Sequence, residues 1–225
     1  MNHVIAIDGP AGSGKGTVAR LVARKLGFRY IDTGAMYRAV TLYVHRQKID
    51  VGNPAAVTAA AQRCDIKFRS SEDGGEQQVL LNGEDVTAEI RSTDITCLVA
   101  PVCAIAGVRT CMAGLQKSAR NDYSLVMEGR DIGTVIYPDA DLKIFLTATI
   151  DERVRRRQLQ YRESGIEVDF DTLKKDMNQR DMIDSTREHS PLKKAPDAVT
   201  IDSDGMTPEE VADRIVTLFR EKTAG

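Results

Sequence analysis

Short apolar runs alternate along the chain with stretches of helical period. Val4-Ile5-Ala6-Ile7 is continuous and ends at Asp8, the pattern of a strand covered on both faces. Val18, Leu21, Val22 and Leu26 then recur at helical spacing, and Gly27 supplies a stop. The pattern predicts a second strand over Phe28–Ile31 and a helix over about Ala35–Gln47. Asn53-Pro54 reads as the N-cap and first residue of a helix reaching about Gln62. There the period changes. Asp65–Arg69 and Gln77–Leu81 have strand character about a loop, Ser70–Glu76. Asn82-Gly83 is a tight-turn signal leading to a short third strand near Val86. Helical segments follow over about 91–106 and 108–121, with Pro101 within the first and Gly107 between the two. Strands are predicted at Leu125–Met127 and Leu142–Leu146, helices at about 151–163 and 169–187, and a strand at Ala198–Ile201. Thr207-Pro208-Glu209-Glu210 opens the last helix with a capping box and an N1 proline, and Val211, Ile215, Leu218 and Phe219 form its apolar stripe.

Strands alternating with helices predict an α/β fold, a doubly wound and mostly parallel sheet with helices on both faces. The stretch from about 64 to 90 reads as a small β insertion in it. The 225 residues suit one domain with an insertion. A hydrophobic share of 42% is enough for a core. Thirty-one Lys and Arg against 33 Asp and Glu leave a formal charge of −2, which argues against a general nucleic-acid coat protein. The first apolar run is four residues long, against the about 20 that a membrane span needs, so neither a span nor a secretory leader is expected. Cys64, Cys97, Cys103 and Cys111 form no CxxC pair and are expected to be buried free thiols of a reducing cytosol.

The strongest chemical signal is Gly9-Pro10-Ala11-Gly12-Ser13-Gly14-Lys15-Gly16-Thr17, which follows a strand and opens a helix. That context makes it a phosphate-binding P-loop. Glycines let main-chain N–H groups converge on an anion, and the helix N-terminus adds positive potential. Lys15 would reach the β- and γ-phosphates. The residue after Lys15 is Gly16, and the hydroxyl that usually serves Mg²⁺ comes one later, at Thr17. A GTPase would need a guanine-reading Asn-Lys-x-Asp. The nearest segment, Asn178-Gln179-Arg180-Asp181, lacks the lysine and lies in a helical stretch.

Three further segments point to a second substrate. Asp32-Thr33-Gly34-Ala35-Met36-Tyr37-Arg38 makes a strand-to-helix corner where such folds bind ligands. Arg38 there is either a phosphate ligand or a surface arginine. Glu128-Gly129-Arg130-Asp131-Ile132-Gly133-Thr134 follows a strand, where acids beside a P-loop organise Mg²⁺ or substrate. Phe170, Leu173, Met177, Arg180, Asp184 and Arg187 share one helix face that starts apolar and turns charged. The charged end either enters a polar cleft or is a surface ion pair at helix spacing. Arg153, Arg156 and Arg157 make a basic face, read as a lid over a triphosphate.

These motifs together resemble the bacterial cytidylate kinase family, from the first strand to the last helix. The specific parts are GPAGSGKGT at 9–17, IDTGAMYR at 31–38, EGRDIGT at 128–134 and RDMIDSTR at 180–187. The resemblance implies transfer of a phosphoryl group from ATP to CMP or dCMP, with Mg²⁺ and no metal ligated by a protein cage. It implies that Gly9, Pro10, Ala11, Gly12, Ser13, Gly14, Lys15, Gly16 and Thr17, with Arg156 and Arg157, hold ATP. Arg38, Arg130 and Arg187 would bind the acceptor phosphate, Arg180 and Asp184 the ribose, and Arg109 and Asp131 the pyrimidine edge. Tyr37 and Thr33 would shape the acceptor pocket, and Lys15, Arg130, Asp131 and Arg187 would be catalytic. The family often has Ser at the Thr33 position, and a base-contacting serine aligns near Ala100, which can neither donate nor accept. The implied organisation is one domain over 1–225, with an acceptor-binding subdomain at about 34–107 and a lid at about 151–166. It would be a cytoplasmic monomer that binds nucleotides and neither nucleic acid nor membrane. The competing readings are a UMP, AMP or shikimate kinase, a nucleotide-dependent switch, or an RNA-binding module using the 153–157 arginines.

Overall fold

The computed structural model describes residues 2–69, 77–163 and 165–224. They form two compact units, one made of the chain up to Ile31 and again from Ala119, the other of Asp32–Ser118.

The first unit is built on a five-stranded sheet. β1 (Val4–Asp8) is central, flanked by β6 (Leu125–Gly129) and β7 (Leu142–Thr147); β2 (Arg29–Asp32) and β8 (Val199–Asp202) are the edges. β1 runs parallel to β6 and β7, and β7 parallel to β8. Register explains the continuous apolar run. Ile5 stands opposite Val126 and Leu142, and Ile7 opposite Ile144. These side chains share a core with Val18 and Val22 of α1 (Lys15–Leu26) and with Val211, Ile215 and Phe219 of α8 (Pro208–Thr223). Ala6 and Met127 point to the other face and are also fully buried, so neither face could carry polar residues. The capping box of α8 is present: Glu210 N–H donates to Thr207 Oγ1 at 3.2 Å, and Thr207 N–H donates to the Glu210 carboxylate at 2.8 Å. α6 (Ile150–Glu163) and α7 (Phe170–Thr186) pack together through Val154, Leu173 and Met177. One π-helical turn, Ile132–Ile136, follows β6 and has no counterpart among the predicted elements.

The second unit carries α2 (Thr33–Arg46), α3 (Pro54–Ala61), α4 (Thr93–Ala104), α5 (Ala106–Ser118) and a three-stranded antiparallel sheet. α2 starts two residues before the predicted Ala35 because Asp32 caps it, its Oδ1 accepting from Ala35 N–H at 2.9 Å. In the small sheet, β3 (Ile66–Arg69) pairs with β4 (Gln78–Leu81) and β4 with β5 (Glu84–Asp85). Asn82 and Gly83 both have left-handed φ, 51° and 87°. A two-residue turn of that kind pairs Leu81 with Glu84, so the third strand lies just before Val86. The predicted loop Ser70–Glu76 lies outside the described residues.

Pro101 lies inside α4, as the predicted segment 91–106 has it, and the break comes at Ile105. Two expectations need correction here. Gly107 does not separate helices: it sits in α5 because a Cβ there would fall 2.2 Å from Thr58 Oγ1 on α3. The cysteines are free, yet only Cys64 is buried. Cys97 is exposed, and Cys103 and Cys111 are half-buried, because α4 and α5 turn those positions away from their apolar stripes. Among the described residues no single helix is long and apolar enough to cross a membrane.

Candidate active site

The phosphate loop runs from Gly9 to Gly14, between β1 and α1. Gly12 and Gly14 have φ of 76° and 86°, a conformation that favours glycine. Gly14 is the N-cap of α1, no side chain caps that helix, and no acid occupies its first turn. The N-terminal N–H groups and the helix dipole therefore suit an anion. Lys15 is buried, and its Nζ donates to the Pro10 carbonyl at 2.6 Å and to Ser13 Oγ at 3.3 Å. Burial, and then the charge of Arg130, push its pKa well below the ordinary lysine range. The structure also explains the glycine after it. A Cβ on Gly16 would lie 2.8 Å from Glu128 Oε1, so a serine or threonine there would have to shift the Glu128 carboxylate, which accepts from the Tyr30 hydroxyl. Thr17 is exposed.

Acids stand at the ends of the central strands. Asp8 closes β1 and is buried; its Oδ1 accepts from Ile132 N–H at 2.9 Å and its Oδ2 from Gly133 N–H at 2.8 Å. Burial raises its pKa to about 6, against those two hydrogen bonds and with help from the Asp131 charge. Glu128, next to last in β6, accepts from the Tyr30 hydroxyl at 2.6 Å. Asp131 is buried, and its carbonyl accepts from Val135 and Ile136 N–H, which fixes the π-helical turn. Glu128 belongs to the segment whose acids the sequence assigns to Mg²⁺ or substrate, whereas Asp8 is marked there only as the end of a strand. The signal was their place: each is the acid that ends, or nearly ends, a buried strand next to a glycine loop.

The charged end of the α7 stripe meets Arg130. Asp184 Oδ2 accepts from Arg130 Nε at 2.9 Å, and its Oδ1 accepts from Arg187 Nη1 at 3.1 Å. Arg130 Nη1 also donates to the Gly129 carbonyl at 3.2 Å, and Arg187 Nε to the Ser190 carbonyl at 2.8 Å. Burial alone would raise Asp184, but the charges of Arg130, Arg180 and Arg187 outweigh it and hold the carboxyl below the usual range. Four of the predicted residues, Arg130, Arg180, Asp184 and Arg187, thus share one electrostatic cluster. It is more than a surface ion pair at helix spacing.

The arginines of α6 diverge. Arg156 bonds to Glu152 at 2.9 Å and to Ser203 Oγ and carbonyl at 3.0 and 2.8 Å. Its Nη1 lies 3.6 Å from where a Cβ on Gly14 would stand, so it flanks the phosphate loop. Arg157 lies over the Tyr161 ring, 4.7 Å from its centroid. Arg153, Arg156 and Arg157 stand at i, i+3 and i+4 and so share one face of α6, as expected, but their guanidinium groups take different partners. Arg153 is buried against the phosphate loop.

In the second unit, Thr33 and Tyr37 are buried on α2. Arg38 is half-buried and donates from Nη1 to Thr96 Oγ1 at 2.9 Å and to the Ile90 carbonyl at 3.4 Å, so it is not a loose surface arginine. Arg109 is buried on α5, donates to the Cys103 carbonyl at 3.4 Å, and lies over the Tyr37 ring at 5.3 Å. Ala100 is half-buried on α4. Among the described residues no three His, Cys, Asp or Glu side chains gather as a metal cage.

A glycine loop at a helix N-terminus, a buried lysine within it, and an acid ringed by arginines on the same unit define a P-loop kinase. The chain belongs to the cytidylate kinase family, whose sequence model matches residues 5–221, and its class is that of the nucleoside monophosphate kinases. It is similar to the cytidylate kinase of a Geobacillus species, 45% identical over 98% of this chain and 98% of that protein. It is also similar to the bifunctional pantoate ligase/cytidylate kinase of Parasynechococcus marenigrum, 48% identical over 97% of this chain and 44% of that protein. The chain therefore spans less than half the length of that bifunctional relative. Among solved structures, an uncharacterized protein from Eubacterium ventriosum shares the fold, with a TM-score of 0.53 at 13% identity over 98% of this chain and 99% of that one.

Proposed function

We propose that this chain transfers the γ-phosphoryl group of ATP to CMP or dCMP, giving ADP and CDP or dCDP. The observation that carries this reading is the Arg130–Asp184–Arg187 cluster, on the same unit as a P-loop whose lysine is buried at its base. An acceptor phosphate oxygen attacks the γ-phosphorus in line, and the bond to the bridging oxygen of ADP breaks. The protein forms no covalent bond, so its work is alignment and positive charge. Gly9, Pro10, Ala11, Gly12, Ser13, Gly14, Gly16 and Thr17 hold the triphosphate through the loop and first helical turn. Lys15 turns from the Pro10 carbonyl to the β- and γ-oxygens. Arg156 and Arg157 add charge on the donor side. Arg38, Arg130 and Arg187 bind the acceptor phosphate, Arg180 and Asp184 the ribose, Arg109 and Asp131 the base, with Tyr37 and Thr33 shaping the pocket.

Mg²⁺ arrives with ATP as part of the substrate. Both Asp8 oxygens are engaged by main-chain N–H groups, which suits an ion carried by phosphates and water better than one caged by carboxylates. The exposed Cys97 thiol suits a reducing cytoplasm, and the chain works as a monomer on nucleotides, without nucleic acid. The test is acceptor-dependent ADP release with CMP, dCMP, UMP, AMP and GMP. Strong turnover with CMP and dCMP is expected. A preference for UMP or AMP, or ADP release indifferent to acceptor, overturns the assignment.

A further inference from the structure

Arg153 differs from its α6 neighbours in spending its donors inside the protein. Its side chain is 8% exposed. Nε donates to the Ala148 carbonyl at 3.2 Å, and Nη1 donates both to the Ala11 carbonyl at 3.0 Å and to Asp181 Oδ2 at 2.7 Å. One guanidinium thus joins three elements: the end of β7, the main chain of the phosphate loop, and α7. Packing follows the same lines. A Cβ on Gly12 would lie 3.2 Å from Arg153 Cβ, 3.3 Å from the Arg153 carbonyl and 2.8 Å from Met177 Cε on α7. The loop tip rests on α6 and α7 with no side chain between.

Burying an arginine and a carboxylate is a poor route to stability, since desolvation offsets most of their attraction. What such a pair supplies well is fixed geometry. Asp181 follows Arg180 on α7, and Asp184 stands one turn further along, holding Arg130 and Arg187. We propose that Arg153 and Asp181 are positioning residues that couple the phosphate loop to the acceptor face of α7, so that occupation of the loop tightens acceptor binding. Neither touches substrate. When the triphosphate settles the loop, the Ala11 carbonyl settles Arg153, and the ion pair sets the rotation and height of α7. This inference rests on the kinase reading above, with ATP on the loop and CMP on the α7 cluster.

The experiment compares CMP affinity by calorimetry with and without a non-hydrolysable ATP analogue, in the wild type, Asp181→Asn, Arg153→Lys and the double variant, alongside steady-state kcat and KM. The analogue should tighten CMP binding in the wild type. Asp181→Asn should keep its affinity for the analogue alone while that tightening falls about fivefold or more, since allosteric couplings are commonly 5–150-fold. Arg153→Lys should show the same loss, and the double variant should be no worse than Arg153→Lys, as members of one pair are not additive. Asp181→Glu keeps the charge and should recover part of the coupling; it also gives the measurement should Asp181→Asn not fold. Wild-type coupling in Asp181→Asn would overturn the pairing, and so would loss of analogue affinity alone in Arg153→Lys, which would show that Arg153 binds the triphosphate directly. A wild type with no coupling overturns it too. Failure of the wild type to phosphorylate CMP would sink the kinase reading instead, which keeps the two failures apart.

Discussion

A Cβ on Gly9 would stand 2.0 Å from the carbonyl oxygen of Leu146. The obstacle is the backbone of β7, which cannot swing aside as a side chain could, and φ at Gly9 is 154°, where L-residues are strained. Gly9→Ala must therefore push the loop or the strand. Overpacking and backbone strain each cost about 1–3 kcal/mol, so a loss of about 2 kcal/mol or more in urea unfolding is expected. Affinity for ATP should fall with it, because the displaced residue is the first of the loop. Unfolding and ATP titration curves matching the wild type would show that β7 does not set the loop.

Lys15 gives a proton signature. Its pKa, lowered to about 7 first by burial and then by Arg130, leaves much of it neutral above that pH. A triphosphate favours the charged form, so binding at pH 8 should take up a proton, and ATP affinity should weaken as pH rises above 7. Calorimetry in two buffers of different ionisation enthalpy reads the uptake directly. Lys15→Met should abolish the uptake and cut turnover about 10²–10³-fold, the loss typical of one preorganised electrostatic contact. Equal heats in both buffers for the wild type would refute it.

Asp8 gives the opposite kind of pH dependence, in stability. Its pKa is raised from 3.8 to about 6, so between those values the folded state holds more protons than the unfolded one. Stability from this group is full below about pH 4 and is lost as pH rises through 6. The shift corresponds to about 3 kcal/mol. Asp8→Asn cannot ionise but retains one acceptor oxygen. Across the same window, wild-type unfolding free energy should fall relative to this variant by up to that amount. A difference independent of pH would mean that Asp8 stays ionised throughout, held by the Ile132 and Gly133 N–H groups.

Much of this was legible in sequence, and the gaps share a cause. β1 could be read because both faces of the sheet are covered, and α8 because Thr207 and Glu210 satisfy one another locally. The α7 stripe kept its period through the change from Leu173 and Met177 to Arg180 and Asp184. What escaped depends on partners far along the chain. Asp8 looks like the polar end of a strand until Ile132, 124 residues later, donates to it. Gly107 looks like a break until Thr58 fills the space beside it. Arg153 looks like one of three lid arginines facing a triphosphate, and only the Ala11 carbonyl and Asp181 show it turned inside.

Asp131 is the residue proposed to choose the base. Cytosine presents an amino group where uracil presents a carbonyl oxygen, and a carboxylate accepts from the first but repels the second. Asp131 is buried two residues beyond β6, at the N-cap of the π-helical turn. Arg109 can donate to acceptors common to both pyrimidines, and Ala100 has no polar group, so neither separates them alone. Asp131 should carry most of a CMP-over-UMP preference worth about 1–3 kcal/mol. Asp131→Asn can turn its amide to donate to uracil, so the ratio of kcat/KM for CMP and UMP should narrow about tenfold or more. The competing role is structural. The Asp131 charge helps raise the Asp8 pKa, so removing it also changes the group that holds Ile132 and Gly133. That effect reaches both acceptors alike and cancels in the ratio. A variant that loses activity with an unchanged CMP/UMP ratio would assign Asp131 to the scaffold and leave base selection to other residues.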